Sequence, residues 1–284
     1  MSTSRPLLDV RDLRVDYDVA GAASWRRRTL TVVRGVSFTI DPGETYGLVG
    51  ESGSGKSTTG RAILRLADVS GGSVRFDGED LASMPRRTPL SYRRAVQAVY
   101  QDPAASLNPR HRVGRAVVET LARHGVRGRE ARDRAALWFE RVGLTAEHMS
   151  RFPTQMSGGQ LQRVAIARAL VLEPRLVVCD EAVSALDLST QSQIINLLRD
   201  LQEASGVSYL FITHDLGVVR HVSHRVGVLK KGELVEQGTT SEIFDAPRHE
   251  YTRKLLAACP AAHPAGRDER RAVRVARRAA ARAA

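Results

Sequence analysis

Apolar and polar residues alternate along residues 7–17, the period of a strand with one buried face. Residues 20–28 break that pattern with Gly21 and the basic run Arg26, Arg27, Arg28, and read as a loop. Residues 32–40 predict a second strand, closed by a turn at Asp41-Pro42-Gly43. Residues 45–49 form a short apolar strand and 96–100 a further one, while 176–179 and 209–212 are of fully buried type. Residues 57–66, 158–172 and 190–204 carry helical spacing, with Leu161, Val164, Ala165, Ala169 and Leu170 on the inner face of the second. Gly71-Gly72 ends the first helix, and residues 74–76 with the Asp77-Gly78 turn predict a hairpin. Residues 226–229 and 233–235 flank a turn at Lys231-Gly232. Between 109 and 151 the pattern is helical, with Val117, Leu121, Leu137, Phe139 and Val142 as core positions. Strands alternating with helices predict an α/β fold whose largely parallel sheet is covered on both faces, with 109–151 as an inserted helical lobe. No internal repeat is present.

The strand at 45–49 runs into Gly50-Glu51-Ser52-Gly53-Ser54-Gly55-Lys56-Ser57, which fits G-x-x-x-x-G-K-[ST] and opens a helix. Glycines there allow successive backbone N–H groups to converge on one anion, and the helix start adds partial positive charge. Lys56 has the reach for the β- and γ-phosphates of a nucleotide, and the Ser57 hydroxyl is a ligand for Mg²⁺. Composition sharpens this. The chain has 43 basic residues, yet only Lys56, Lys230, Lys231 and Lys254 are lysines. A lysine in an arginine-preferring chain points to a need for a compact ammonium.

A second group of candidates follows the buried strand 176–179. Asp180 at a strand end suits a cation held partly through water, and Glu181 is placed to polarise an attacking water as general base. His214, after the strand 209–212, is within reach of the γ-phosphate or that water. Met156-Ser157-Gly158-Gly159-Gln160 precedes another helix and forms a second anion grip from free N–H groups and a hydroxyl. One chain with two such grips and one nucleotide suggests that the second serves a partner's nucleotide. As alternatives, an acidic pair after a strand is also a common solvated loop, and a lone histidine is often structural.

In order and spacing these motifs resemble the ATP-binding cassette (ABC) family, with the signature LSGGQ present as Met156-Ser157-Gly158-Gly159-Gln160. The resemblance spans about residues 7–240 and implies a P-loop NTPase fold with a mixed, mainly parallel core sheet, an antiparallel β subdomain and an inserted α-helical subdomain over about 102–158. It implies ATP and Mg²⁺ as cofactors. Gly50, Glu51, Ser52, Gly53, Ser54, Gly55, Lys56, Ser57 and Thr58 would hold the phosphates. Ser57, Gln101 and Asp180 would serve the metal, with Gln101 as the family's Q-loop residue. Glu181 and His214 would be catalytic. Ser157, Gly158, Gly159 and Gln160 would close over the nucleotide of a second cassette, and Asp187 in Ser184-Ala185-Leu186-Asp187 would be the D-loop aspartate. Tyr17 resembles the aromatic that stacks on adenine, with Trp25 as its rival. Ala182, Met156 and Leu161 depart from the usual family residues without removing a phosphate, magnesium or water contact.

Gln101-Asp102-Pro103, Ser106-Leu107-Asn108-Pro109-Arg110 and Pro247-Arg248-His249-Glu250-Tyr251-Thr252 are similar to the oligopeptide/dipeptide/nickel importer branch. That branch implies a C-terminal extension at 241–262 and import of di- or oligopeptides, with nickel, glutathione or another small solute as the alternative cargo. Its members work as peripheral subunits on the cytoplasmic face of the cell membrane. Their partners are a second, homologous or identical ATPase subunit, two transmembrane permeases and, indirectly, a solute-binding protein. Some carry an iron–sulfur cluster; Cys259 alone predicts none here.

Charge opens one competing class. The net charge is +12, and residues 267–284 hold seven arginines against Asp268 and Glu269. This Arg/Ala-rich tail, from about 263 on, reads as disordered and solvated. A basic chain also admits an ABC ATPase acting on nucleic acid or ribosomes. Such proteins usually pair two cassettes in one chain or insert a coiled coil, and this sequence has one uninterrupted cassette, so no nucleic acid is expected. Two cysteines, Cys179 and Cys259, fit a reducing compartment. Residues 1–10 carry no apolar run of signal-peptide type and no run reaches membrane-span length, so service to a membrane would go through partner chains.

Overall fold

Long stretches of alternating or continuous apolar residues pair into two sheets. The computed structural model describes residues 5–20 and 27–258. In chain order, β1 (Leu8–Ala20) and β2 (Arg27–Ile40) are followed by β3 (Thr45–Val49), α1 (Lys56–Ile63), β4 (Gly71–Phe76), β5 (Glu79–Asp80), α2 (Leu90–Ala95) and β6 (Val96–Tyr100). The helices α3 (Val113–Arg123), α4 (Gly128–Arg141) and α5 (Gly158–Leu170) come next, then β7 (Leu176–Asp180), α6 (Leu188–Ser205) and β8 (Ser208–Thr213). The described part ends with α7 (Leu216–Val222), β9 (Arg225–Lys230), β10 (Glu233–Thr239), α8 (Thr240–Asp245) and α9 (Glu250–Ala258).

One sheet is antiparallel, in the order β2-β1-β4-β5; the other runs β10-β9-β3-β8-β7-β6. Within the second, β9, β3, β8, β7 and β6 are parallel and β10 adds an antiparallel edge. The interiors of its central strands are apolar because each face meets a different core. Leu176, Val178, Leu210 and Ile212 pack toward the antiparallel sheet and α1. Val177, Cys179, Tyr209 and Phe211 pack toward α5, α6 and the α3–α4 pair. A third cluster joins β9, α7, α8 and α9 through Val226, Val228, Val219, Ile243 and Tyr251.

The strands expected at 45–49 and 96–100 match to the residue. Other expectations shift. Arg27 and Arg28, expected in a loop, begin β2 and pair with Ala20 and Val19. α1 stops at Ile63, short of Leu66, because Arg65 turns left-handed with φ 56° and the N–H of Leu66 donates to the Arg61 carbonyl. The helical stretch 109–151 divides at Gly125, whose φ is 93°. Leu137 is 47% exposed while Trp138 and Phe139 are buried. A one-residue step turns a helix by about 100°, and the larger aromatic pair takes the inner face. α6 starts two residues before the expected Thr190, capped by Asp187.

Phe211, 1% exposed, fills the sheet face opposite α1. Phe211→Ala is expected to lower the free energy of unfolding by about 3–5 kcal/mol, read from urea unfolding curves.

Candidate active site

The parallel order of the sheet gathers the candidate residues. Strands β3, β8, β7 and β6 are neighbours. The phosphate loop follows β3, His214 follows β8, Asp180 and Glu181 end β7, and Gln101 follows β6. Register makes this concrete: Asp180 stands beside Ile212 on one side and Tyr100 on the other. The carboxyl ends of parallel strands are the usual place for ligands in such sheets.

The loop at residues 50–55 is wrapped around Lys56. That side chain is only 4% exposed, and its ammonium donates to the carbonyl oxygens of Gly50 and Glu51, both at 2.8 Å. Burial lowers the Lys56 pKa, while the charges of Glu181, Asp180 and Glu51 act in the opposite sense. The curl demands glycine. A Cβ on Gly50 would lie 2.1 Å from the Leu229 carbonyl oxygen, whereas Gly53, at φ 78°, faces open space. β2 lies against the same loop, since a Cβ on Gly55 would meet the Val32 carbonyl oxygen at 2.9 Å. The N–H of Gly232, in the β9–β10 turn, donates to Ser54 O at 2.8 Å.

Ser57, in the first turn of α1, donates its hydroxyl hydrogen to Asp180 Oδ1 at 2.7 Å. Burial raises the Asp180 pKa, with the Ser57 hydrogen bond and the charges of Arg61 and Lys56 opposing it. Glu181 has φ 51°, an uncommon conformation for a residue with a side chain, fixed by donation of its N–H to Ile212 O at 2.8 Å. The turn aims its carboxylate at His214, with Oε1 and Nδ1 3.1 Å apart. Ser184 braces this turn through its N–H and hydroxyl, both donating to Glu181 O.

Ser157, Gly158, Gly159 and Gln160 stand apart from this cluster, at the start of α5. Ser157 caps the helix: its Oγ accepts the Gln160 N–H at 3.3 Å, and Gln160 Oε1 accepts the Ser157 N–H at 3.0 Å. They pack against the start of α6, where a Cβ on Gly159 would fall 2.5 Å from Thr190 Cγ2. Asp187 caps α6 and accepts hydrogen bonds from the Ser189 hydroxyl and from the N–H and hydroxyl of Thr190, which hold its pKa well below the usual carboxylate range. Among the described residues, no hydrogen bond joins 157–160 to the phosphate loop. Tyr17 is 37% exposed on β1, opposite Leu30 of β2, on the ribbon whose Val32 abuts the loop. Trp25 lies outside the described residues.

With this geometry, similarity to known proteins decides the family. The sequence profile described as "ABC transporter" matches residues 33–184, more than half of the chain. The chain belongs to the ABC transporter family. A second profile, the oligopeptide/dipeptide transporter C-terminal region, matches residues 235–283. Glutathione import ATP-binding protein GsiA from Shigella flexneri serotype 5b is 49% identical over 261 residues, covering 91% of this chain and 42% of that protein. GsiA from Escherichia coli O6:H1 is 50% identical with the same coverage. The chain thus spans less than half the length of these curated relatives.

Solved ABC structures agree with the fold. CbiO1 of Clostridium perfringens, described as part of the ABC transporter complex cbiONQ, aligns with TM-score 0.72 and 28% identity over 90% of this chain and 97% of that one. The ATP-binding cassette MJ0796, solved as a dimer in a post-hydrolysis state bound to ADP and Pi, gives TM-score 0.72 and 29% identity over 82% and 98%. The expected ABC fold, with its parallel core, antiparallel sheet and helical insertion, is therefore the observed one.

Two contacts at this ABC site had no sequence signal. The Tyr251 hydroxyl of α9 meets the Glu51 N–H, and the Lys230 ammonium lies over the Tyr251 ring. The Ser184 brace is legible afterwards as a hydroxyl three residues beyond Glu181.

The two glycines separate steric from conformational demand. Gly53→Ala is expected to destabilise the protein by about 1 kcal/mol, whereas Gly50→Ala, facing a backbone carbonyl, costs about 3 kcal/mol. Thermal unfolding of the two variants checks the ranking.

Proposed function

We propose that this chain is the ATP-hydrolysing subunit of an importer of short peptides, working on the cytoplasmic face of the cell membrane. One observation carries the reading: Lys56, Ser57, Asp180, Glu181 and His214 converge at the ends of three adjacent parallel strands and the helix that follows one of them. An ammonium and a helix start for phosphates, a hydroxyl and carboxylate for a metal, and a carboxylate for water make up the parts of a phosphoryl-transfer site.

ATP binds with its phosphates along Gly50 to Thr58 and its adenine against Tyr17. The Ser57 hydroxyl and Asp180 carboxylate are hard oxygen donors 2.7 Å apart, a donor set suited to Mg²⁺, with Gln101 at the end of β6 as a further ligand. When bound, such an ion would offset negative charge on the phosphates. Glu181, aimed by its left-handed turn, takes a proton from the attacking water. His214 contacts Glu181 through Nδ1 at 3.1 Å and turns its other ring nitrogen to the γ-phosphate.

The second grip, Ser157 to Gln160, closes over the nucleotide of another cassette, with Asp187 at the same seam. The dimeric, nucleotide-bound state of the similar cassette MJ0796 supports this arrangement. The second cassette is homologous or identical, and the pair drives two transmembrane permeases docked on the helical lobe at about 102–158, with a solute-binding protein acting upstream. No helix among the described residues is long and apolar enough to cross a membrane, which fits a peripheral subunit. Short peptides as cargo rest on the oligopeptide/dipeptide profile and on relatives named for glutathione import, glutathione being itself a tripeptide.

Glu181→Gln is expected to slow phosphate release by about 10²-fold or more while ATP stays bound, measured by phosphate release and by nucleotide retained through gel filtration. Hydrolysis near the unsubstituted rate would contradict the assignment.

A further inference from the structure

The C-terminal element reaches the phosphate loop through one side chain. α9 is latched by Glu236 of β10, whose carboxylate accepts the N–H of Arg248 at 2.6 Å and of His249 at 3.1 Å. This seats Tyr251, 7% exposed, with the Lys230 ammonium 4.9 Å from its ring centre. The Tyr251 hydroxyl oxygen accepts the backbone N–H of Glu51 at 3.3 Å. Burial raises the phenol pKa, so the hydroxyl stays neutral and keeps its proton.

The value of this bond lies on the opposite edge of the same peptide. The Glu51 N–H and the Gly50 carbonyl belong to one planar unit, and in a trans peptide they point in opposite directions. That carbonyl is one of the two that hold the Lys56 ammonium. Lys56 therefore draws on one edge while Tyr251 holds the other. Gly50, lacking a side chain, offers little resistance of its own to rotation of this peptide.

We propose that Tyr251 is a positioning residue of the nucleotide site: its hydroxyl fixes the peptide between Gly50 and Glu51 in the orientation that seats Lys56. The proposal rests on the reading of residues 50–58 as the phosphate cradle. It makes the C-terminal element part of the support for ATP binding, so that displacement of α9 loosens the lysine's anchor.

Tyr251→Phe in the full chain keeps the ring and its contact with Lys230 and removes only the hydroxyl. In the nucleotide-free protein, amide hydrogen exchange at Glu51, followed by NMR, is expected to accelerate about tenfold. The Kd for a fluorescent ATP analogue is expected to rise about three- to tenfold, with the thermal midpoint nearly unchanged. Glu236→Gln, which weakens the latch on α9, should shift both readouts in the same direction by less. Unchanged Glu51 exchange and unchanged affinity in Tyr251→Phe would overturn the proposal, as would a uniform loss of protection with no excess at Glu51. Failure of the unsubstituted chain to bind the analogue would instead count against the nucleotide reading, and the exchange measurement would still decide the role of Tyr251.

Discussion

A buried ammonium held by two peptide carbonyls sets the conditions for this site. Burial of Lys56, 4% exposed, lowers its pKa even with the carbonyls of Gly50 and Glu51 and the carboxylates of Glu181, Asp180 and Glu51 nearby. Asp180 is strained in the opposite sense, its charge disfavoured by burial. A polyanion accompanied by a divalent cation would complement both groups at once, in keeping with the function proposed for this site. The glycine curl, the β9–β10 turn against Ser54 and the phenol behind Glu51 all maintain that single arrangement.

The sheet supplies the rigidity. Because β7 and β8 are buried on both faces, their polar residues are confined to the strand ends, and parallel pairing brings those ends to one edge. Chemistry distributed over more than a hundred residues of sequence is thereby concentrated within hydrogen-bond distance, as between Ser57 and Asp180. The second anion grip proposed at residues 157–160 follows another logic. Its capping box is complete within α5, so it is preformed and independent of the phosphate loop.

Much of this was legible in the chain because local chemistry encodes it. Short, largely apolar runs identified β3 and β6 to the residue, and the glycine pattern identified the loop between β3 and α1. Boundaries set by tertiary contacts were not legible. Arg27 and Arg28 extend a strand because β1 offers them partners, and Leu137 yields the core to the aromatic pair beside it. Asp187 adds a cap that the sequence reading did not assign: its carboxylate accepts the Thr190 N–H at the start of α6. The contact between Tyr251 and Glu51 joins residues 200 positions apart and leaves no periodic or local trace.

The most direct test of the central claim is calorimetric titration of ATP with Mg²⁺ into the full chain and into Lys56→Arg. The pocket around Lys56 fits a compact ammonium between two carbonyls, and a planar guanidinium does not reproduce that geometry. The expected result is ATP binding by the unsubstituted chain and a loss of about 100-fold or more in Lys56→Arg, equivalent to about 2.7 kcal/mol. Equal affinity in the two proteins would contradict the account.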